Sequence, residues 1–493
     1  MSEDRNLQLP PQSATCLEVL DHLAAGKCSA EQLLTSYLDY LETTGRELGA
    51  AVEVFRESAL DAARESDARR KNGDRVGLLE GIPFTAKMNI STIEGTTDAS
   101  SSILEGFKSG ADATVVSRLK NQGAILAGKS NCDEFAMGAS NETSVHGVVK
   151  NPWSHDRVPG GSSGGAAALA GSHGWAFHLG SDTGGSIRQP AAFCGATGLK
   201  PTWGRVSRRG LIAFGSSLDQ IGPLARDAAD VRRVLEVIEG ADELDATSVA
   251  CERDTAESVA SDPVRRIGLV SEGLSEGVDE DIRERIRESA KRLGSAGYEV
   301  VEVSLQTLAR ANACYQVIAT AEASSNLARY DGVHIGQRVP AENLDQLYCG
   351  SRSSGFGEEV RRRILLGTFV LSSGYIDAYY GRAQQVRAEI RQEILTVLED
   401  VDALMMPVSP FAPFCIGERV SDPLALYACD ILTVTANLAG VPAIAVPCGS
   451  DETGLPMGMQ WMGRHGEDQR LLQLAESWQS LDDSWRKLPT GVK

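Results

Sequence analysis

The chain of 493 residues lacks several features that mark whole classes of protein. It has no apolar run near the ~18 to 20 residues that a helix needs to cross a bilayer. Its first residues, Met1-Ser2-Glu3-Asp4, are acidic and are not followed by the apolar segment of a signal peptide. These absences predict a cytoplasmic protein that makes no use of a membrane.

The usual metal-binding spacings are missing too. The 10 cysteines contain no CxxC pair, and the 7 histidines contain no HExxH motif. Such spacings matter because they bring several ligands onto one ion. We therefore expect no metal and no cofactor held by this chain, and we expect its cysteines to be reduced thiols, as in most cytosolic proteins.

Positive charge is scarce. With 48 Lys+Arg against 67 Asp+Glu, the formal net charge is −19. A surface of that sign repels phosphate backbones, which excludes broad contact between this chain alone and a nucleic acid. The densest basic run, residues 205–209, leaves room only for a local patch.

Helical and strand patterns alternate along the chain, which favours an α/β layered fold. Ser29 and Gln32 form a capping box before an amphipathic helix, and a second helix is predicted from about Ser58 to Arg70. A long helix is predicted from about Glu358 to Glu399. Short apolar runs predict buried strands at 124–127, 403–407, 441–447 and 457–461.

Two other segments differ in composition from the rest. Residues 160–222 are dense in Gly, Ser and Thr and have little helical periodicity, which indicates backbone pressed closely against backbone or ligand. Residues 241–262 are acidic and polar, and they are the one plausible linker.

Two motif matches fail on their context. Residues 123–130 fit the phosphate-binding pattern GxxxxGK[ST], but the residues between its glycines are apolar and predict a strand, and a helix precedes them instead of following. Residues 161–165 fit GxSxG, the nucleophile elbow of α/β-hydrolases, but a polar, proline-broken segment precedes them where a buried strand is needed. We expect neither a nucleotide site nor a Ser-His-Asp triad here.

We take Lys87 and the two glycine-rich loops around Ser162 and Ser186 as the candidate catalytic site. Serine is a weak nucleophile and needs a base, and a buried neutral lysine can serve because desolvation disfavours its ammonium form. A second serine hydroxyl both donates and accepts, so it can relay a proton. On residue chemistry alone, two tight turns and an unrelated lysine remain an open interpretation.

Residues 160–201 resemble the signature of the amidase-signature family. That resemblance implies an α/β/α sandwich around a central mixed β-sheet and a Ser–cis-Ser–Lys triad. In it Ser186 would be the nucleophile, Ser162 the bridging serine and Lys87 the base. The oxyanion hole would be lined by Thr183, Gly184, Gly185 and Ser186.

The similarity extends beyond this core to one branch of the family, the glutaminase subunits of glutamyl/aspartyl-tRNA amidotransferases. The resemblance covers about residues 78–475. Its branch-specific stretches are residues 133–138, 205–211, 217–223, 322–332 and 362–369.

The branch resemblance implies a glutaminase that supplies ammonia to its partners, the B and C subunits of a heterotrimer. The larger of these partners uses ATP and Mg and makes the main contact with the charged tRNA, Glu-tRNA(Gln) or Asp-tRNA(Asn), and the other is small. Glutamine would be held by Asp430, Arg363 and Tyr315, with Asp430 suited to the α-ammonium. Arg363 suits the α-carboxylate because a planar guanidinium matches two carboxylate oxygens.

The sequence departs from the family beside the predicted base. Met88 stands where the family usually has Asp beside the lysine, and losing that carboxylate favours neutral lysine.

We expect an N-terminal helical segment over residues 1–70 packed on a catalytic domain over residues 71–480. The rivals are a stand-alone amidase for other carboxamides and a non-catalytic scaffold.

Overall fold

The computed structural model describes residues 8–249 and 263–490. The strands are β1 (Ala51–Val54), β2 (Pro83–Lys87), β3 (Ile125–Ser130), β4 (Phe177–Asp182), β5 (Thr197–Lys200), β6 (Gln220–Ala225), β7 (Arg266–Val270), β8 (Glu299–Val303), β9 (Ala403–Pro407), β10 (Ala443–Ser450) and β11 (Pro456–Met462). The α-helices are α1 (Cys16–Ala24), α2 (Ala30–Tyr40), α3 (Arg56–Asn72), α4 (Thr114–Asn121), α5 (Gly164–Ser172), α6 (Arg188–Cys194), α7 (Ala228–Ile238), α8 (Glu280–Ser295), α9 (Leu308–Asn326), α10 (Leu344–Gly355), α11 (Glu358–Val370), α12 (Arg382–Asp400), α13 (Pro423–Tyr427), α14 (Val434–Ala439) and α15 (Asp468–Leu481).

All these strands join one sheet in the order β1-β3-β2-β4-β6-β5-β10-β11-β9-β7-β8. Strand β2 runs parallel to both β3 and β4, whereas β4 pairs with β6 in antiparallel register, so the sheet is mixed. Helices flank it, and every residue of β2, β3 and β4 is buried. The predicted fold class, an α/β sandwich around a mixed sheet, is confirmed.

Local sequence signals located several elements correctly. Ser29 accepts a hydrogen bond from the backbone of Gln32 and caps α2 as a capping box. Helix α3 ends at Asn72 because Gly73 adopts a left-handed conformation with φ of +71°. The four predicted buried strands correspond to β3, β9, β10 and β11. The rejected GxxxxGK[ST] match is strand β3 itself, preceded by α4, as its apolar residues predict.

One helix prediction was wrong, and two helices were not predicted. The expected long helix is two helices, since α11 ends at Val370 and α12 begins at Arg382, and Gly374 between them has φ of +88°. The Gly-, Ser- and Thr-rich segment contains helices α5 and α6. Both are buried on every side, so neither carries the apolar stripe by which a half-buried helix is recognised.

The N-terminal segment contacts the rest of the fold at several points. Strand β1 pairs with β3, and the amide of Cys16 at the start of α1 donates to the Asp230 carboxylate at 2.7 Å. The domain division at residue 70 stays a prediction. Within the described residues, no helix combines the length and apolar character of a membrane span.

The first residues of the acidic stretch 241–262, which was expected to be a linker, form hydrogen bonds with the rest of the fold. Asp242 accepts a hydrogen bond from the Ser207 hydroxyl at 2.6 Å, and Asp245 accepts one from the Arg208 amide at 2.7 Å. The remainder of that stretch, residues 250–262, lies outside the described residues.

Candidate active site

The site lies where the carboxyl ends of two neighbouring parallel strands meet the starts of two helices. Lys87 is the last residue of β2, and Asp182 is the last residue of β4. Ser162 and Ser163 immediately precede α5, and Ser186 lies two residues before α6. Crevices at the carboxyl ends of parallel strands are the usual location of ligand sites in α/β sheets.

The amine of Lys87 is surrounded by serine hydroxyls. Its Nζ lies 2.7 Å from Ser162 Oγ, 2.9 Å from Ser163 Oγ and 2.9 Å from Ser181 Oγ. The Gly161–Ser162 peptide bond is cis. The Ser162 carbonyl accepts a hydrogen bond from the amide of Asp133 at 3.2 Å. The structure therefore brings together the predicted base and the predicted bridging serine.

Burial changes the protonation equilibrium of Lys87. The side chain is fully buried, and desolvation lowers the pKa of Lys87 from 10.5 to about 8, against the opposing influence of Cys132 and the carboxylates of Asp133, Asp182 and Asp219. A substantial fraction of Lys87 is thus neutral near pH 8, and only the neutral amine has a lone pair to accept a proton.

Ser186 is the least buried of the three residues of the predicted triad. It is 7% exposed, whereas Ser162 and Lys87 are 0% exposed, so the predicted nucleophile is the one that faces the solvent side. Within the described ranges, Ser186 Oγ makes no hydrogen bond to Ser162. Catalytic hydrogen bonds often tighten only in the complex with substrate, so this geometry is compatible with the relay.

Asp182 organises the loop that carries Ser186. Its carboxylate accepts hydrogen bonds from the amides of Gly185 at 2.9 Å and Ile187 at 3.2 Å. Arg188 Nε donates to it at 3.0 Å and Asn437 Nδ2 at 2.9 Å. Both charged groups are completely buried, and this ion pair fixes the turn from β4 into α6.

The four residues of the expected oxyanion hole differ in the hydrogen bonds that they make. The Gly185 amide is engaged by Asp182. Among the described residues, the amides of Gly184 and Ser186 donate to no protein acceptor, so they remain available to a developing negative charge. The hydroxyl of Thr183 donates to Asp219 at 2.6 Å, which anchors the start of the loop.

Arg363 projects from α11 into a closely packed environment. It is 4% exposed, and its Nε donates to Glu359 at 2.7 Å. The guanidinium lies over the rings of Phe214, at 5.5 Å, and Tyr427, at 5.3 Å. The sequence left a surface arginine as the alternative for this position, since residues 361 and 362 are arginines too, but Arg363 is the buried one of the three.

Tyr315 and Thr433 contact the loop that carries Ser186, and Asp430 lies three residues before Thr433. A Cβ on Gly184 would come within 2.6 Å of the Tyr315 ring. Thr433 Oγ1 donates to the Gly184 carbonyl at 2.5 Å, and the Thr433 amide donates to the Asp430 carbonyl at 3.0 Å. Burial raises the pKa of the Asp430 carboxyl, and Arg363 opposes that rise. Asp430 and Arg363 both influence the pKa of Tyr315, so the three residues expected to hold glutamine lie near one another beside the loop of Ser186, although their roles stay predictions.

The sequence assigned no role in supporting the site to the residues that surround it. Asp182, Arg188 and Asn437 form the loop anchor, and Ser181 and Asn89 lie beside Lys87. The spacing of Asp182 and Arg188 within one glycine-rich segment was the only local signal. Asn437 is 255 residues from Asp182 in the chain, so sequence proximity could not reveal it.

Comparison with known proteins identifies the family. The family model described as Amidase matches residues 32–472. A curated relative from Nitrosococcus oceani, named as the A subunit of glutamyl-tRNA(Gln) amidotransferase, is 46% identical over 477 residues, covering 96% of this chain and 98% of the relative. A relative of the same name from Synechococcus sp. is 47% identical over 472 residues, covering 95% and 97%.

Solved structures agree with the sequence comparisons. The crystal structure of the A subunit of glutamyl-tRNA(Gln) amidotransferase from Thermotoga maritima matches with a TM-score of 0.81 and 38% identity, over 98% of this chain and 99% of that one. The peptide amidase PAM, in complex with chymostatin, matches with a TM-score of 0.80 but 28% identity, over 98% and 100%. The chain belongs to the amidase-signature family.

Proposed function

We propose that this chain is the glutaminase subunit of a tRNA-dependent amidotransferase. The observation that carries the proposal is the 2.7 Å contact between Lys87 Nζ and Ser162 Oγ beside the loop of Ser186. Identity of 46% over 96% of this chain, to a relative named as one subunit of such an enzyme, supports the substrate and the product.

The proposed chemistry uses the three residues in sequence. Neutral Lys87 accepts the proton of Ser162, which accepts the proton of Ser186, and Ser186 Oγ attacks the side-chain amide carbon of glutamine. The free amides of Gly184 and Ser186 stabilise the oxyanion. The stored proton passes to the leaving nitrogen, ammonia departs, and water then hydrolyses the glutamyl ester to release glutamate and restore Ser186.

Glutamine recognition uses two charged groups beside the loop. The carboxylate of Asp430 receives the α-ammonium, and binding of that cation favours the ionised carboxyl despite the rise in pKa that burial causes. The guanidinium of Arg363 receives the α-carboxylate, and Tyr315 packs against the loop. Arg363 keeps donors for this contact because, among the described residues, only its Nε donates to a protein acceptor, Glu359.

The ammonia is consumed by the B and C subunits of the complex, of which the larger uses ATP and Mg and holds most of the charged tRNA. The net charge of −19 supports a division of labour in which this chain leaves the tRNA to a partner. No cofactor in this chain takes part. The reaction it serves is conversion of Glu-tRNA(Gln) or Asp-tRNA(Asn) to the amidated product in the cytoplasm.

An exposed apolar surface supports a partner. The α11 patch consists of Leu365, Leu366, Phe369, Tyr375, Ile376 and Tyr379. Leu365 is 70% exposed and Phe369 46%, and the rings of Phe369 and Tyr375 lie 4.6 Å apart. Contiguous exposed apolar surface is typical of a protein interface. The patch begins on the same helix as Arg363, so a partner bound there lies close to the residues proposed to bind glutamine.

A stand-alone amidase is the alternative. Purification of the tagged chain from its own cells separates the two: a stoichiometric heterotrimer that hydrolyses glutamine and amidates charged tRNA supports the proposal, and a lone chain acting on assorted amides overturns it. Ser186→Ala and Lys87→Met in the complex should abolish glutaminase activity, while Ser275→Ala, at an exposed serine, should leave it unchanged.

A further inference from the structure

Lys87 has three serine hydroxyls around its amine, but the proposed relay uses only Ser162. We propose that Ser181 and Asn89 form a positioning pair that turns the lone pair of neutral Lys87 toward Ser162. This inference rests on the proposed function, because it assigns a role to two residues around the proposed base.

The number of hydrogen bonds that the Lys87 amine can donate and accept depends on its protonation state. An ammonium has three donors and matches three hydroxyl oxygens, whereas a neutral amine has two donors and one lone pair. When neutral Lys87 donates to two of the three serine hydroxyls, the third serine must donate its proton to the amine. The Ser181 carbonyl is the more distant acceptor, 3.5 Å from Nζ. Only donation by Ser162 prepares the relay, so the protons of Ser163 and Ser181 need other acceptors.

Ser163 has such an acceptor. Its Oγ donates to the Ser181 carbonyl at 3.2 Å and lies 3.3 Å from the Ser181 amide nitrogen. The Ser163 hydroxyl therefore presents its lone pairs to Lys87 and does not compete with Ser162.

Ser181 has one side-chain neighbour besides Lys87 and Ser163 that can take its proton. In this structure Asn89 Nδ2 donates to Ser181 Oγ at 2.9 Å, whereas Asn89 Oδ1 is buried and has no partner among the described residues. The two ends of a side-chain amide exchange by a half-turn. With the oxygen turned to Ser181, the Ser181 hydroxyl donates to Asn89 and accepts from Lys87. The lone pair of Lys87 is then left for Ser162.

The charged groups near Lys87 make the effect of each substitution predictable. Cys132 and Asp133 follow β3, Asp182 ends β4, and Asp219 precedes β6; all of them favour the ammonium, and burial opposes it. Removing the Ser181 hydroxyl takes away one acceptor of the ammonium, which lowers the pKa of Lys87. Asn89→Asp keeps an acceptor for Ser181 but adds a negative charge, which raises the pKa of Lys87.

The two variants should therefore move the acidic limb of the glutaminase pH profile in opposite directions. In the purified complex, Ser181→Ala should shift the limb to lower pH and reduce kcat by roughly ten- to a hundredfold, the usual size of a general-base contribution lost in part. Asn89→Asp should shift the limb to higher pH. KM for glutamine should change by less than about threefold in both, because neither residue lies among the glutamine-binding groups.

Matched controls and second variants keep the test decisive. Asn343→Asp, at the exposed N-cap of α10, and Ser275→Ala make the same changes far from the site and should leave the profile unaltered. If Ser181→Ala does not fold, Ser181→Cys retains the volume with a weaker acceptor and should shift the limb in the same direction.

The outcomes separate this inference from the proposed function. If Lys87→Met retains glutaminase activity, Lys87 is not the base and both proposals fall. If Lys87→Met is inactive but Ser181→Ala and Asn89→Asp keep the wild-type limb, or shift it in the same direction, the positioning role is overturned and the proposed function stands.

Discussion

The Asp182 carboxylate accepts a hydrogen bond from the Gly185 amide at 2.9 Å, so one of the four residues expected to form the oxyanion hole has its N–H directed into the protein. The carboxylate is fully buried, and Arg188 is its counter-ion. The backbone of the loop that carries Ser186 is thus held by a charge pair inside the fold, while the amides of Gly184 and Ser186 donate to no protein acceptor among the described residues.

Asp182→Asn should destabilise the protein and inactivate it. The amide keeps the shape of the side chain but leaves the Arg188 guanidinium buried without a counter-charge, a change that costs about 3 to 5 kcal/mol in comparable buried pairs. Chemical denaturation measures the loss. Glu31→Gln, the same kind of change in the exposed pair with Arg64, should have little effect on stability because solvent screens that pair. Equal effects of the two substitutions would contradict the anchoring role of Asp182.

Glutaminase activity should rise with pH and level off above about pH 8. The pKa of Lys87 is lowered to about 8, so the amine is protonated below that pH and cannot accept the relay proton. The buried His173 and His178 do not account for a rise of activity in this pH range, because burial lowers the pKa of each to about 3. The measurement is kcat at saturating glutamine between about pH 6 and 9, a range that brackets the lysine. We choose kcat because kcat/KM also reports groups that bind free glutamine, among them Asp430, whose carboxyl pKa burial raises to about 7. A flat profile across it would remove Lys87 as the base.

Much of this site could be predicted from sequence because its reacting groups lie in short segments. Ser162 and Ser186 occupy two glycine-rich loops, and Lys87 ends a β-like apolar run. The supporting groups could not be predicted, since Asn437 reaches Asp182 only through the packing of α14 against the loop. Helices α5 and α6 escaped detection for a related reason: complete burial removes the polar face that makes a helix periodic.

Arg363→Lys should raise KM for glutamine at least about tenfold while changing kcat much less. Lysine keeps the charge but loses the planar pair of donors that matches a carboxylate, and it loses the stacking between Phe214 and Tyr427. Steady-state kinetics on the complex separates the two constants. Arg361→Lys, at an exposed position on the same helix, is the control and should leave both constants unchanged. An unaltered KM in Arg363→Lys would exclude Arg363 from substrate binding.

Loss of the α11 patch should release the partner subunits without unfolding the chain. Leu365→Glu combined with Phe369→Glu places two charges on side chains that are 70% and 46% exposed, where the isolated chain tolerates them but a desolvated interface does not. Co-purification of the partners with the tagged chain, followed by native mass, gives the result. Leu344→Glu, at a leucine 65% exposed on α10, controls for an added surface charge and should leave the complex intact. If the double variant still forms the complete heterotrimer, the partners bind elsewhere, because two buried unpaired carboxylates are too costly for an interface to retain.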